Sequence, residues 1–187
     1  AIEAGKLIEV EWEVLKPVLS IDQALADDAP ILHEGQKTEG MGPPVEGDTN
    51  ITNQIVFEGG DVDAGFAEAD VVVEGVFETP MVHQGYIEPH ACLVNAREDG
   101  TSEIWCATQG PFGVKGETAT LTGSDPASIK VTPTEIGGGF GGKIPVYLEP
   151  AALVLSRKAG RPVKMTMTRE EVFRGTGPTS GSKMWVK

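Results

Sequence analysis

Cysteine is nearly absent: Cys92 and Cys106 are the only two in 187 residues. Neither belongs to a CxxC or has a histidine at metal-ligand spacing, so no metal-ligating set is expected. Both lie in apolar, strand-like runs, where a free thiol behaves as a small buried hydrophobe. A bond between neighbouring strands is the alternative. Such sparing use suits a reducing cytoplasm. Long apolar runs are missing as well. No stretch reaches the roughly 18 residues that a membrane helix needs, and no signal peptide is visible. Positive charge is scarce: 15 Lys and Arg stand against 28 Asp and Glu, a net charge of −13. That argues against a nucleic-acid binder, which needs a basic face, and against docking on an anionic membrane.

What remains is ordinary globular material, 40% hydrophobic and 23% charged, long enough for one domain or two small ones. Lys6 to Leu15 alternates apolar and charged residues and predicts a half-buried strand. Residues 21–26 predict a short helix with Ser20 as N-cap and Gln23 as its capping-box partner. Residues 34–50 are polar and rich in Gly and Pro, a linker composition. A helical turn or two over 61–69 precedes a strand at 70–78, interrupted at Gly75. Residues 80–90 read as irregular and polar. Strands at 91–96 and 102–108 flank the turn Glu98-Asp99-Gly100-Thr101. A weak helix at 112–122, a strand at 128–136, a helix at 147–159 closed by Gly160 and a strand at 163–168 follow. Arg169-Glu170-Glu171 reads as a helix cap or ion pair. Hairpins mixed with β–α–β alternation predict an α+β fold with a mixed sheet and packed helices.

The densest signal is Ile136-Gly137-Gly138-Gly139-Phe140-Gly141-Gly142-Lys143. Glycine costs backbone entropy, so this density implies positive φ or close approach to the backbone. A strand before it and a helix after it would bring amide groups and a helix N-terminus to one point, an anion site. Gly137, Gly139 and Gly142 satisfy GxGxxG, but no acidic residue follows at the dinucleotide spacing. Gly137, Gly142 and Lys143 fit GxxxxGK, but Ile144 stands where Mg²⁺ binding needs Ser or Thr. A tight packing turn is the plainer alternative. Phe140 favours another use, in which the loop offers N–H donors and also presses an aromatic ring against a reacting centre.

Four motifs in order carry a resemblance: Tyr86-Ile87-Glu88-Pro89-His90-Ala91, Thr108-Gln109-Gly110-Pro111, the loop 137–143, and Gly160-Arg161-Pro162-Val163-Lys164 ahead of Arg169-Glu170-Glu171. Together they resemble the molybdenum-binding large subunit of the xanthine dehydrogenase, aldehyde oxidase and aerobic carbon monoxide dehydrogenase family. The resemblance implies a hammerhead-domain tail at 1–40, a linker at 41–54 and the N-terminal part of a molybdopterin-binding domain at 55–187. It implies an enzyme that oxidises an aldehyde, an N-heterocycle or CO with water-derived oxygen. Molybdopterin, as the cytosine dinucleotide, would carry the molybdenum. Electrons would leave through [2Fe–2S] clusters and FAD on a small iron–sulfur subunit and a medium flavin subunit, in a dimer of heterotrimers. By position, Gln109 is similar to the family glutamine that hydrogen-bonds an oxygen ligand of molybdenum. Gly138, Gly139, Phe140, Gly141 and Gly142 are similar to the turn that lies against the cofactor. Glu88 and His90 sit in a segment expected near the active-site wall, in structural roles, as do His83 and Gln84.

Departures bear on the substrate. Ile144 stands where some purine-oxidising members carry an acid, and residues 141–147 look closer to the carbon monoxide dehydrogenase-like branch. That branch's cysteine loop and the family's catalytic glutamate would lie downstream of Lys187. The chain alone is therefore expected to bind no stable cofactor. A nucleotide-binding α/β domain, or a non-catalytic assembly domain of the same fold, are the competing readings.

Overall fold

A computed structural model describes residues 2–43 and 45–187. Ala1, and Pro44 within the expected linker, lie outside the described residues. The chain divides into two compact units, one of residues 1–77 with 183–187 and one of residues 78–182.

The first unit holds α1 (Ile2–Gly5), α2 (Ile21–Leu25), β1 (Glu39–Gly40), β2 (Asn53–Gln54) and α3 (Val62–Glu68). Ser20 caps α2 through the amide of Gln23, as its sequence predicts. The Gln23 side chain, however, accepts from the amide of Leu19 rather than from that of Ser20. Asp61 caps α3 in the same way, through Ala64. β1 and β2 are a short parallel pair. Asn50 donates to the carbonyls of Ala24 and Pro30 and accepts from the amide of Leu32. The strand expected at 6–15 does not form, and residues 8–19 carry no regular structure. Their alternation finds no sheet partner, and without a ladder or a covering face it stabilises nothing. Leu7, Trp12 and Val14 remain exposed.

β3 (Gly75–Thr79) pairs with β8 (Ser182–Val186). The expected strand at 70–78 is thus shortened to its second half.

The second unit is a layered α+β structure. β4 (Ala91–Ala96), β5 (Ser102–Cys106), β6 (Ile129–Pro133) and β7 (Val163–Thr166) form a mixed sheet in the order β6-β5-β4-β7. β4 is antiparallel to β5 and β7, whereas β5 and β6 are parallel. A parallel pair needs a crossover, and α4 (Pro111–Thr122) supplies it. α5 (Glu149–Ala159) leads to β7, and α6 (Arg169–Gly175) follows β7. Cys92, Val94, Ile104, Cys106 and Ile129 from the sheet meet Val114 and Ala119 of α4 and Ala152 and Leu153 of α5 in one core. Cys92 and Cys106 face each other across the ladder as free, buried thiols. Burial, with Glu149 adding to it, pushes both up to about 12, so neither is a nucleophile near neutral pH.

Candidate cofactor-binding site

Sheet topology decides which segments meet. Because β5 and β6 are parallel, the chain leaves both at the same edge of the sheet, into Gln109 on one side and the glycine loop on the other. β4 is antiparallel to β5, so the residues that lead into it, 84–90, arrive at that edge too. β7 is antiparallel to β4 and delivers α6 there. The amide of Ala107 bonds the carbonyl of Ala91, and that of Met167 bonds His90, which fixes these crossings.

The loop and Gln109 are interlocked. The Gln109 side-chain oxygen accepts from the amides of Gly141, at 3.0 Å, and Lys143, at 3.2 Å. The backbone amide of Gln109 in turn donates to the Lys143 carbonyl at 2.9 Å, which also accepts the Thr108 hydroxyl. Two N–H donors on one side-chain atom identify that atom as the oxygen. The amide nitrogen is then the end of Gln109 left to donate elsewhere. A Cβ at Gly139 would stand 2.5 Å from the Gln109 oxygen, so only glycine lets the carboxamide lie this close. Gly141 has φ +89°, and Phe140 itself is left-handed at +51°, an uncommon state for a bulky residue. The Phe140 ring is 74% exposed. It therefore projects from the turn rather than packing beneath it.

Four of the loop's seven amides are already committed within the protein. Gly137 donates to Glu88 at 2.7 Å, Gly142 to the Gly139 carbonyl at 2.8 Å, and Gly141 and Lys143 to Gln109. Only the amides of Gly138, Gly139 and Phe140 have no partner among the described residues. Nor does a helix N-terminus join them, because α5 begins at Glu149. The expected convergence of loop and helix is not seen: residues 144–148 intervene, and the buried carboxylate of Glu149 accepts from the amide of Tyr147 instead. The three free amides therefore lack the helix N-terminus that a phosphate cradle sets behind its loop, which weakens the nucleotide-binding reading.

Beneath the loop lies a buried polar layer. The Lys143 side chain is fully buried, and its ammonium sits 2.6 Å from Glu88 and 5.0 Å from the centre of the Tyr86 ring. Burial raises the Glu88 carboxyl, but the hydrogen bonds from Lys143 and Gly137 outweigh it and hold the group below its usual range. The Tyr86 hydroxyl meets His90 Nε2 at 2.7 Å and the Thr176 hydroxyl at 2.8 Å. Burial, reinforced by the charge of Lys143, depresses His90 to about 4, so it is neutral. His83 Nδ1 accepts from Gly85, leaving Nε2 to donate toward Val172. Arg169 donates to the carbonyls of Tyr86 and Ile87. Thr168 and Glu171 form a capping box on α6, and Glu170 pairs with Arg174. The Arg-Glu-Glu run is thus a cap and an ion pair, as expected, and also a bracket on residues 86–87. Neither this bracket nor the Lys143–Glu88 pair was visible in the sequence. A lysine closing a glycine run, with an acid far upstream, was the only signal.

The donor set indicates what the site can hold. Around Phe140 it offers the Gln109 carboxamide nitrogen and three loop amides, while the neighbouring carboxylate of Glu88 is already paired. Donors without a competing acceptor suit a ligand rich in oxygen and ring-nitrogen acceptors, such as a pterin bearing a metal.

Comparison with known proteins agrees. Residues 45–187 match the molybdopterin cofactor-binding domain, and the chain belongs to that family. It is 35% identical to a probable hypoxanthine oxidase of Escherichia coli K12, covering 100% of this chain and 22% of that protein. It is 32% identical to the nicotinate dehydrogenase large molybdopterin subunit of Eubacterium barkeri, over 90% of this chain and 37% of the relative. Among solved structures, the CO dehydrogenase of Oligotropha carboxidovorans superposes with a TM-score of 0.74 at 29% identity, covering 95% of this chain and 22% of that one. The chain thus spans well under half the length of these relatives. No helix among the described residues is long and apolar enough to cross a membrane.

Proposed function

We propose that this chain supplies one wall of the molybdenum site in the large subunit of a molybdenum hydroxylase. The observation that carries the reading is the locked carboxamide: Gly141 and Lys143 hold the oxygen of Gln109, so the residue presents only N–H donors beside the glycine turn. When bound, molybdopterin would supply the two-electron redox chemistry that oxidises the substrate with water-derived oxygen. Gln109 would donate to an acceptor atom of that group. Gly138, Gly139 and Phe140 would offer their backbone amides, with Gly141 and Gly142 shaping the turn. The Phe140 ring would form an apolar wall that positions substrate and excludes water.

The wider assembly extends the same reading: a cytosine dinucleotide form of the cofactor, [2Fe–2S] clusters and FAD on small and medium partner subunits, and a cytoplasmic dimer of heterotrimers. Residues 1–40 and 55–187 would be the end of a hammerhead domain and the start of the cofactor domain, joined at 41–54. The names of the two relatives above favour a nitrogen heterocycle as substrate over CO.

Metal analysis of the intact protein tests the proposal, with near-stoichiometric molybdenum expected there and none on the 187-residue chain alone. A metal-free intact protein would overturn it. Replacing Gln109 by Ala in the intact protein should lower kcat per molybdenum by about 10²-fold, the cost of deleting one preorganised donor. Unchanged kcat would remove Gln109 from the site.

A further inference from the structure

We propose that Glu88 and Lys143 form a buried positioning clamp that sets the shape of the glycine turn, and through it the orientation of Gln109. The inference rests on the functional reading above only for its catalytic consequence.

One carboxylate oxygen closes the loop. Glu88 Oε2 accepts from the Gly137 amide at 2.7 Å and from Lys143 Nζ at 2.6 Å. The donors come from the two ends of the turn, so a single atom fixes the distance between them. Lys143 is the node on the other side. Its backbone amide donates to the Gln109 carboxamide, its carbonyl accepts the Gln109 amide and the Thr108 hydroxyl, and its ammonium goes to Glu88. All three polar groups of one residue are therefore committed, and two of them determine where Gln109 points.

Burial makes the clamp stiff. The Lys143 side chain has no exposure, whereas that of Glu88 keeps 35%. An ammonium shut away from water requires its counter-charge, and deleting that partner leaves an uncompensated buried cation. The ammonium has no solvated alternative without opening the turn. The Tyr86 ring beneath it closes the remaining side. Arg169 anchors the segment that carries Glu88 by binding the carbonyls of Tyr86 and Ile87. The chain of contacts runs from the N-terminus of α6, through residues 86–88, to both ends of the turn, and ends at the carboxamide. Neither Glu88 nor Lys143 is placed against the cofactor. They are positioning residues, distinct from the donors that face it.

Glu88→Gln in the intact enzyme tests this, because it keeps the size of the side chain and removes its charge. In the cofactor-free form, amide exchange of a peptide covering 137–143 should accelerate at least about tenfold while α5 stays protected, the mark of local opening. In the loaded form, kcat per molybdenum should fall by about tenfold with KM within twofold, since a displaced donor costs chemistry more than binding. Unchanged exchange in the turn would overturn the clamp. So would activity lost only in proportion to lost molybdenum, which would make the pair a retention element. Should Glu88→Gln fail to fold, Glu88→Asp keeps the charge but shortens the reach, and it carries the test with the same readouts. If the wild-type protein holds no molybdenum, the exchange arm still decides the clamp, while the functional reading falls by itself.

Discussion

The two units of this chain contain equally suggestive sequence and very different interiors. In the unit of residues 78–182, the alternating strand β4, the almost wholly buried β5 and the helices α4 and α5 enclose a continuous core whose central residues, Val94, Ile104, Ala152 and Leu153, have no exposure. In the unit of residues 1–77 and 183–187, none of the described residues is buried. Residues 6–15 alternate at least as regularly as β4, yet Trp12 is 80% exposed. The difference teaches that alternation states which face a strand would bury, while the burial itself comes from partners elsewhere in the chain. The second unit finds those partners in β5, β7 and two helices.

The largest effect expected from this contrast is on stability. Leu153→Ala should destabilise the second unit by about 2–5 kcal/mol, the transfer and cavity cost of a buried leucine. Trp12→Ala should change the stability of the chain by less than about 0.5 kcal/mol, as for an exposed surface position. Denaturant melts of the two variants beside the parent chain measure both. Similar losses would break the contrast by showing that residues 6–15 are covered in solution.

Most of the second unit could be read from its sequence because its signals are local. The Asp99-Gly100 turn, the αL glycines at 123 and 160 that end α4 and α5, and the Thr168–Glu171 box each act within a few residues. The site was legible in part. A glycine turn with an aromatic at its centre, and Gln109 at a strand end, could be singled out, and the parallel pairing of β5 and β6 brings them together. The pairing of Lys143 with Glu88 and the hold of Arg169 on residues 86–87 could not. They join positions far apart in sequence and depend on the order of strands in the sheet, which periodicity does not encode. The helix expected from 147 starts two residues later, at Glu149, because Leu148-Glu149-Pro150 sets its first turn and proline is at home there.

An intermediate effect concerns pH. His90 lies buried, with Tyr86 on its Nε2 and with Lys143, Glu88 and His83 as the charged or titratable groups around it. Its folded pKa of about 4 lies below the ordinary value near 6.5, so on acidification the unfolded chain takes up the proton first. The stability this contributes is complete above roughly pH 6.5 and is lost as pH falls toward 4. The thermal midpoint of the parent chain should therefore drop across that window. His90→Gln, which keeps a donor and acceptor for Tyr86, should flatten the decline above the range in which Glu88 and Glu171 take up protons. A parent chain whose midpoint is level from pH 7 to 5 would rule out the buried neutral imidazole.

The smallest expected effect sharpens the comparison by showing where the units do not differ. Glu170 and Arg174 face each other across one turn of α6 at 3.1 Å, with side chains 71% and 80% exposed. Lys16 and Asp28 of the first unit sit at 3.8 Å and are 67% and 88% exposed. Exposed pairs gain little in water and are screened by salt. Glu170→Gln should cost less than about 1 kcal/mol, combining an i,i+4 pair with an acid in the first turn of a helix. Asp28→Asn should cost no more than this. Both differences should shrink in 1 M NaCl relative to 0.1 M, whereas the Leu153→Ala loss should persist. A Glu170→Gln penalty as large as that of Leu153→Ala and unmoved by salt would mean that this end of α6 is not solvated. The hold of Arg169 on residues 86–87 would then belong to a more deeply buried bracket than the one described.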